Sequence, residues 1–417
     1  MYRFFLIYVI LRLNIPVFSI FPNSLLGKTF LLNGPINTEY SMLHGAGHIM
    51  SIHFSNRNNT IISEKIIPNY YDPTGKVVVV YDYHSSLLSK MLSLVKGLLG
   101  YKMNTCNTAF AEINNKLFAV EETSNPYELR INNTGHLEMV GFNNNKIMAA
   151  HQPYNDEFFT YLPHKVIPLS IMGKSIPWHP KVNRPAMIHD SKKLCDLYIF
   201  PISSLGIGDP FNWLKSDNKF PLESIGTLKW LIYNSTSENC FEIDSGLNSS
   251  NIFHIAHSFI ENGIITLLAP IASVDAILEW IEKGSGSLFK DQNKLYEFKI
   301  NIENKSLEYI ILKEQIEFPI TDYLEENIIG LKDSNTIIRI NRLTKKSEKY
   351  VFENSNIYDI CKLDDNEHYI FYMSHNNKTA NVVISNYNFE ICYKIPVPYR
   401  KHVFHSHLFE NVSNFYF

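Results

Sequence analysis

No Cys-x-x-Cys pair occurs in this chain, and its five cysteines (Cys106, Cys195, Cys240, Cys361, Cys392) are odd in number and scattered. That pattern excludes a disulfide framework and a zinc ribbon, and fits reduced thiols in an intracellular setting. Charge is also scarce: charged residues make up 19% and the net charge is −3, so no basic surface for a nucleic-acid partner is expected. No Gly/Pro/Ser-rich linker divides the 417 residues, and no strong fixed-period repeat is visible. The longest apolar run at the N-terminus, Phe4 to Leu11, is cut by Arg12. It falls far short of the ~20 apolar residues that span a bilayer. Read as a secretion signal, it lacks a small-residue cleavage site. The expected organisation is a short hydrophobic segment over 1–18 followed by a single domain over 19–417. A cytoplasmic location is expected, with secretion as the alternative.

What is present is a large apolar complement, 45% of residues, broken into short β-rich runs by Asn, Asp, Gly and Lys turns. Such runs are KVVVVYDYH (76–84), TAFAEINNKLFAVEE (108–122), LYEFKINIENKSLEYIIL (295–312) and TIIRINRLTKKSEKYVF (336–352). Each of the last three reads as two strands around a tight polar turn. An all-β domain follows. Two segments depart from the pattern. In SSLLSKMLSLVKGLLG (85–100), Leu87, Met91, Val95 and Leu98 share one helical face, opposite Ser86, Ser89, Ser93 and Lys96. The alternatives there are a helix packed on sheet edges and a helix lying in a membrane interface. ASVDAILEWIEKG (272–284) reads as a structural helix.

Histidines stand in settings unlike ordinary surface chemistry. His151 lies in MAAHQPYNDE, His189 at the start of a strand in AMIHDSKKLCDLYIF, and His254 in an alternating strand, NIFHIAHSFIENG, with His257 three residues on. Near the C-terminus VPYRKHVFHSHLF crowds His402, His405 and His407 together. Distant histidines without comparable Cys or Asp suit a borderline metal.

These segments resemble the carotenoid cleavage oxygenase family. SIFPNSLLGKTFLLNGP (19–35), LHGAGHIMSIHF (43–54), NTAFAEINNKLFAVEETSNPY (107–127), AAHQP, MIHD, FHIAHSFIENG, EFPITD (317–322) and VFHSHLF follow one another in the family's order. The resemblance covers about 19–409. It implies a seven-bladed β-propeller with a loop and short-helix dome over one iron(II) per chain, held by four histidines: His151, His189, His254 and one of the terminal cluster. His405 fits the closing motif best; His402 fits a gapless count, and His407 shares the strand parity of His405.

The same resemblance implies outer carboxylates that receive the far N–H of the ligand imidazoles. Glu122 and Glu317 match two of them. At the third position Asn356 stands, with Glu353 nearby but out of register, which implies a missing charge and weaker iron retention. Thr108 falls where some relatives place a Thr whose methyl limits an open iron position. His44 and Ala46 replace both aspartates of a family turn, and His257 replaces a usual Asn, as an extra hydrogen-bond donor or a competing imidazole.

Implied partners are dioxygen and an apolar polyene, a carotenoid or apocarotenoid cleaved at a conjugated C=C bond, with membrane contact through 85–100. A stilbene-cleaving dioxygenase is the alternative, opposed by Glu121 where such relatives carry Lys. A propeller that binds an apolar ligand without redox chemistry is the rival from another class.

Overall fold

The structure, a computed structural model, describes residues 21–36, 46–56, 59–67, 86–88, 90–91, 105–121, 125–143, 148–152, 159–160, 169–171, 173–178, 186–217, 222–283 and 293–410. The N-terminal segment, the run 76–84, His44 and Glu122 lie outside these residues. The all-β expectation holds: antiparallel sheets follow one another along the chain, most of them built from strands consecutive in sequence.

The three expected hairpins form. In the first, strands β2 (Ala109–Ile113) and β3 (Lys116–Val120) pair around Asn114 and Asn115. Both turn residues have positive φ, 52° and 59°. That is the backbone a two-residue hairpin turn needs to follow strand twist, and Asn tolerates it. Two further hairpins join Lys294–Asn301 to Ser306–Gln315 and Thr336–Asn341 to Ser347–Val351.

One pairing joins the ends of the chain. Strand β9 (His405–Glu410) runs antiparallel to β1 (Lys28–Asn33), in unbroken register from Lys28 opposite Glu410 to Asn33 opposite His405. The buried Arg400 reinforces this seam, its guanidinium donating to the Leu32 and His48 carbonyls. Sheets then pack face to face. Trp230 meets Phe298 at 5.2 Å between ring centres, Ile329 and Ile337 pack on Phe371 and Val383, and Phe30 and Phe54 pack on Tyr372 and Val382. All these side chains are excluded from water, which is where most of the folding free energy originates.

One edge strand of several sheets lies beside its counterpart in the next. Besides β2 and β9 these are β4 (Lys192–Leu194), β5 (His257–Glu261), β6 (Glu317–Thr321) and β8 (Ser355–Lys362). β8 touches both β6 and β9, β9 touches β2, and β4 touches β5. His189, His254, His405, Glu112, Glu317 and Asp359 sit on these strands or on the loops just before them, and His151 lies in a separate loop.

Besides the 3-10 turn Asn23–Leu25 and helical residues at 87–88 and 90–91, two short helices are described. α1 (Pro210–Lys215) is capped by the Asp209 carboxylate, which accepts from the Phe211 and Asn212 amides, with proline in the first turn. α2 (Val274–Lys283) is the helix expected from 272–284. It buries Val274, Ile277 and Ile281.

Candidate metal centre

His151, His189, His254 and His405 converge from four distant parts of the chain. Each offers one ring nitrogen, and the four atoms lie within 4.8 Å of one another. Nε2 of His405 is 3.2 Å from Nε2 of His151 and 3.3 Å from Nε2 of His254. The rings meet edge to face at 4.5 Å and 5.0 Å between centres.

Only His405 lies in a strand. His189 and His254 each precede a strand by three residues, β4 and β5 respectively, rather than standing at or within one as their sequence suggested. A strand points successive side chains to opposite faces, so a histidine that must turn off the sheet towards a common centre is better placed in the entering loop. The loops are tied to one another. The His151 amide donates to the His189 carbonyl at 3.1 Å, and the buried Asp190 carboxylate accepts from the Ile255 amide at 2.6 Å.

Behind the ring of imidazoles stand carboxylates. Glu317, 3% exposed, places Oε1 at 3.4 Å from His254 Nδ1. Burial pushes its carboxyl pKa up to about 8. Behind His405 stands a residue the sequence reading missed: Asp359 Oδ2 lies 3.3 Å from His405 Nδ1 and also accepts from the Ser406 amide at 2.8 Å. The expectation of an uncharged third position is therefore corrected. Asn356 donates to Asn377 Oδ1 away from the centre, and Glu353 is exposed. The cause is a bulge: Tyr358 pairs with Tyr372 and Ile360 with Phe371, which leaves Asp359 as the extra residue. A bulge re-aims the side chain it carries, and nothing in a strand's alternation announces one. The signal available was a lone acid in the apolar strand NIYDICKL.

The terminal histidine cluster divides by role. His405 joins the other three imidazoles. His407, on the same face of β9, pairs with Glu112 of β2. His402 is half-buried, and burial lowers its pKa to about 4. His257 is not in the four-histidine group; its Nδ1 lies 4.0 Å from Glu325 Oε2. Thr108 is buried and donates its hydroxyl to Asn107 Oδ1 at 3.2 Å.

The chemistry of the donor set fits a metal ion. Burial and the neighbouring imidazoles hold His151 and His254 well below the usual histidine pKa, so these rings are neutral. With Nδ1 of His405 donating to Asp359, and Nδ1 of His254 facing Glu317 at 3.4 Å without a hydrogen bond, the tautomers that protonate both Nδ1 atoms would leave Nε2 lone pairs facing one another across about 3 Å. A cation between them removes that repulsion. Four imidazole nitrogens with carboxylates behind them suit a borderline divalent ion rather than calcium or magnesium.

An all-β fold of successive antiparallel sheets with four converging imidazoles defines a β protein with a candidate metal centre. The chain matches the model of the RPE65 family, described as retinal pigment epithelial membrane protein, over residues 21–330. It belongs to the carotenoid cleavage oxygenase family. No curated protein sequence matches it. Among solved structures, a Synechocystis ACO variant is similar at TM-score 0.72 and 14% identity, with 93% of each chain covered. An ACO/RPE65 chimera reaches 0.70 at 14% identity, again over 93% of each chain. Cobalt-substituted Synechocystis ACO reaches 0.67 at 13%, also over 93% of each.

Proposed function

We propose that this protein is an iron(II)-dependent oxygenase that cleaves a conjugated C=C bond of a carotenoid or apocarotenoid into two carbonyl products. The observation that carries the reading is the convergence of His151, His189, His254 and His405, in a chain of this family. The architecture we assign is a seven-bladed propeller with a dome of loops and short helices over one iron per chain. The seam of β9 on β1 supports a ring of sheets, since radial repetition is how such sheets protect their edges.

His151, His189, His254 and His405 would hold the ion, and Glu317 and Asp359, with Glu122 as the third carboxylate, would fix the tautomers and offset its charge. Bound iron would supply the spin-allowed reaction of dioxygen with a closed-shell alkene; both oxygen atoms end in the two carbonyls. The chain's own work is to position the polyene and exclude water. Phe253, 5.1 Å from the His189 ring, and Phe318, 5.2 Å from the His254 ring, give the centre an apolar surround. Thr108, its hydroxyl turned to Asn107, would present its methyl towards the open side. Glu121 supports a polyene over a phenolic stilbene.

The experiment is incubation of iron-loaded protein with apocarotenoids and with stilbenes under ¹⁸O₂, followed by product mass analysis. Labelled aldehydes from an apocarotenoid are expected. No product from either class would leave the apolar-ligand binding module as the surviving reading.

An apolar polyene partitions into membranes, and we assign the protein a peripheral membrane contact. Of the segment 85–100, residues 86–88 and 90–91 are described. Leu87, Leu88 and Met91 are exposed, and so is Phe211 of α1 at 73%. Buried Lys90 joins the two, donating to the Trp213 carbonyl at 2.9 Å with its ammonium over the Trp213 ring. No described helix is long and apolar enough to cross a membrane, so the contact would be interfacial. Free Cys106, Cys195, Cys240, Cys361 and Cys392 support the cytoplasmic side. Replacing Leu88 and Phe211 together by Asp is expected to release the protein from liposomes in a flotation assay without changing its metal content. Undiminished flotation would rule out this patch as the contact.

A further inference from the structure

The carboxylate behind His254 is aimed by a distorted backbone. Along β6, Glu317 pairs with Leu331 of β7 (Asn327–Asp333), but the next pair is Ile320 with Ile329. Two residues, Phe318 and Pro319, therefore face the single Gly330. Phe318 has φ +48°, a left-handed conformation that a bulky L-residue adopts only where its surroundings over-determine it. Gly330 is the other half of the device. A Cβ there would lie 2.7 Å from the Glu317 carbonyl oxygen and 2.7 Å from Ile316 Cγ1, so any side chain would push the Glu317 backbone away. The Phe318 ring stands 5.2 Å from the His254 ring and 5.4 Å from the His405 ring.

We propose that Gly330 and the left-handed Phe318 are positioning residues for the metal centre: their bulge directs Glu317 onto His254 Nδ1, and so sets how tightly the imidazoles hold the ion. The inference rests on the metal reading given above and concerns residues outside the set that would ligate the ion. Ordinary pairing would turn Glu317 with the pleat of β6, because one residue of register moves every following side chain to the opposite face. With the bulge, Glu317 is buried at 3% exposure with Oε1 3.4 Å from the imidazole nitrogen, and its other oxygen has no hydrogen-bond partner. An unpaired buried carboxylate oxygen is costly. The bulge holds it there, where a cation in the centre would favour its charged form.

The test is a titration of the metal-stripped full chain with Co(II), read from its visible spectrum, and with Fe(II), read by competition with a chelator. Gly330→Ala is expected to weaken binding of both ions by about 10-fold or more, the range for loss of an outer partner of a ligand, and to shift the Co(II) bands. In the Glu317→Gln background the same substitution should have no further effect, since its route runs through that carboxylate. A second pair guards against a folding defect. Phe318→Gly and Phe318→Val both remove the ring, but only glycine accepts a positive φ freely, so the valine variant should bind several-fold more weakly. Additive effects of Gly330→Ala and Glu317→Gln, or equal affinities of the glycine and valine variants, would overturn the inference while leaving the metal centre intact. A wild-type chain that takes up neither ion would overturn the metal reading as well.

Discussion

His254→Ala is expected to yield a protein that keeps its β-rich circular dichroism but holds no iron and turns over no polyene. His254 Nε2 faces His405 Nε2 at 3.3 Å and its Nδ1 faces Glu317 at 3.4 Å, so it is the ring through which that carboxylate would act on a bound ion. Losing an outer partner of a ligand costs roughly 10–100-fold in metal affinity; losing the ligand removes a bond to the ion as well, so the effect should exceed that range. Stability should suffer less. His254 lies in a loop before β5, outside the sheet ladders, and its deletion also relieves the crowding of facing nitrogens. Metal content per folded chain, measured after loading and desalting, is the readout. Iron retained at the wild-type level would remove His254 from the centre and with it the proposed chemistry.

Asp359→Asn should be the more informative variant. The amide keeps the shape and can still accept from the Ser406 amide, which Asp359 now does at 2.8 Å. What disappears is the negative charge 3.3 Å from His405 Nδ1. In a site whose ligands would all be imidazoles, that charge would offset part of a bound ion's charge and hold the tautomer that leaves Nε2 free. Iron affinity is therefore expected to drop by about 10–100-fold, with the melting temperature of the metal-free protein little changed. Asn356→Ala and Glu353→Ala, which alter the positions that sequence order singles out, should leave affinity unchanged. Competition against a graded series of chelators distinguishes these outcomes. An effect confined to Asn356 or Glu353 would restore the sequence-based assignment and remove Asp359 from the site.

Much of this architecture is written locally. Alternating apolar residues with Asn-rich turns dictate hairpins because strand pleat and turn dihedrals are properties of a few neighbouring residues; hence Asn114–Asn115 with flanking strands was readable. The apolar spacing of Val274, Ile277 and Ile281 made α2 equally plain. The four histidines were legible for another reason: the motifs around them follow the order of the carotenoid cleavage oxygenase family, and that resemblance implied them.

Other features depend on contacts between residues far apart in the chain. Three histidines within six positions offered three candidates; the closing motif favoured His405, and it is this ring that β9 carries towards His151 and His254. Its neighbour His407 points to Glu112 of another sheet, an answer held 295 residues away. Asp359 stayed hidden because a bulge shifts register by one residue, and that shift is set by the partner strand rather than by the residues beside it.

By itself, then, the order of amino acids determined an all-β chain, its hairpins, its second helix and the set of histidines from which a centre could be drawn, because each rests on short-range dihedral preference or on residue chemistry. Only the folded arrangement decided where His407 turns, which acid stands behind His405 and how Gly330 and Phe318 aim Glu317. Those outcomes are fixed by register and packing between separate sheets, and register is a property of pairs of strands that neither strand carries alone.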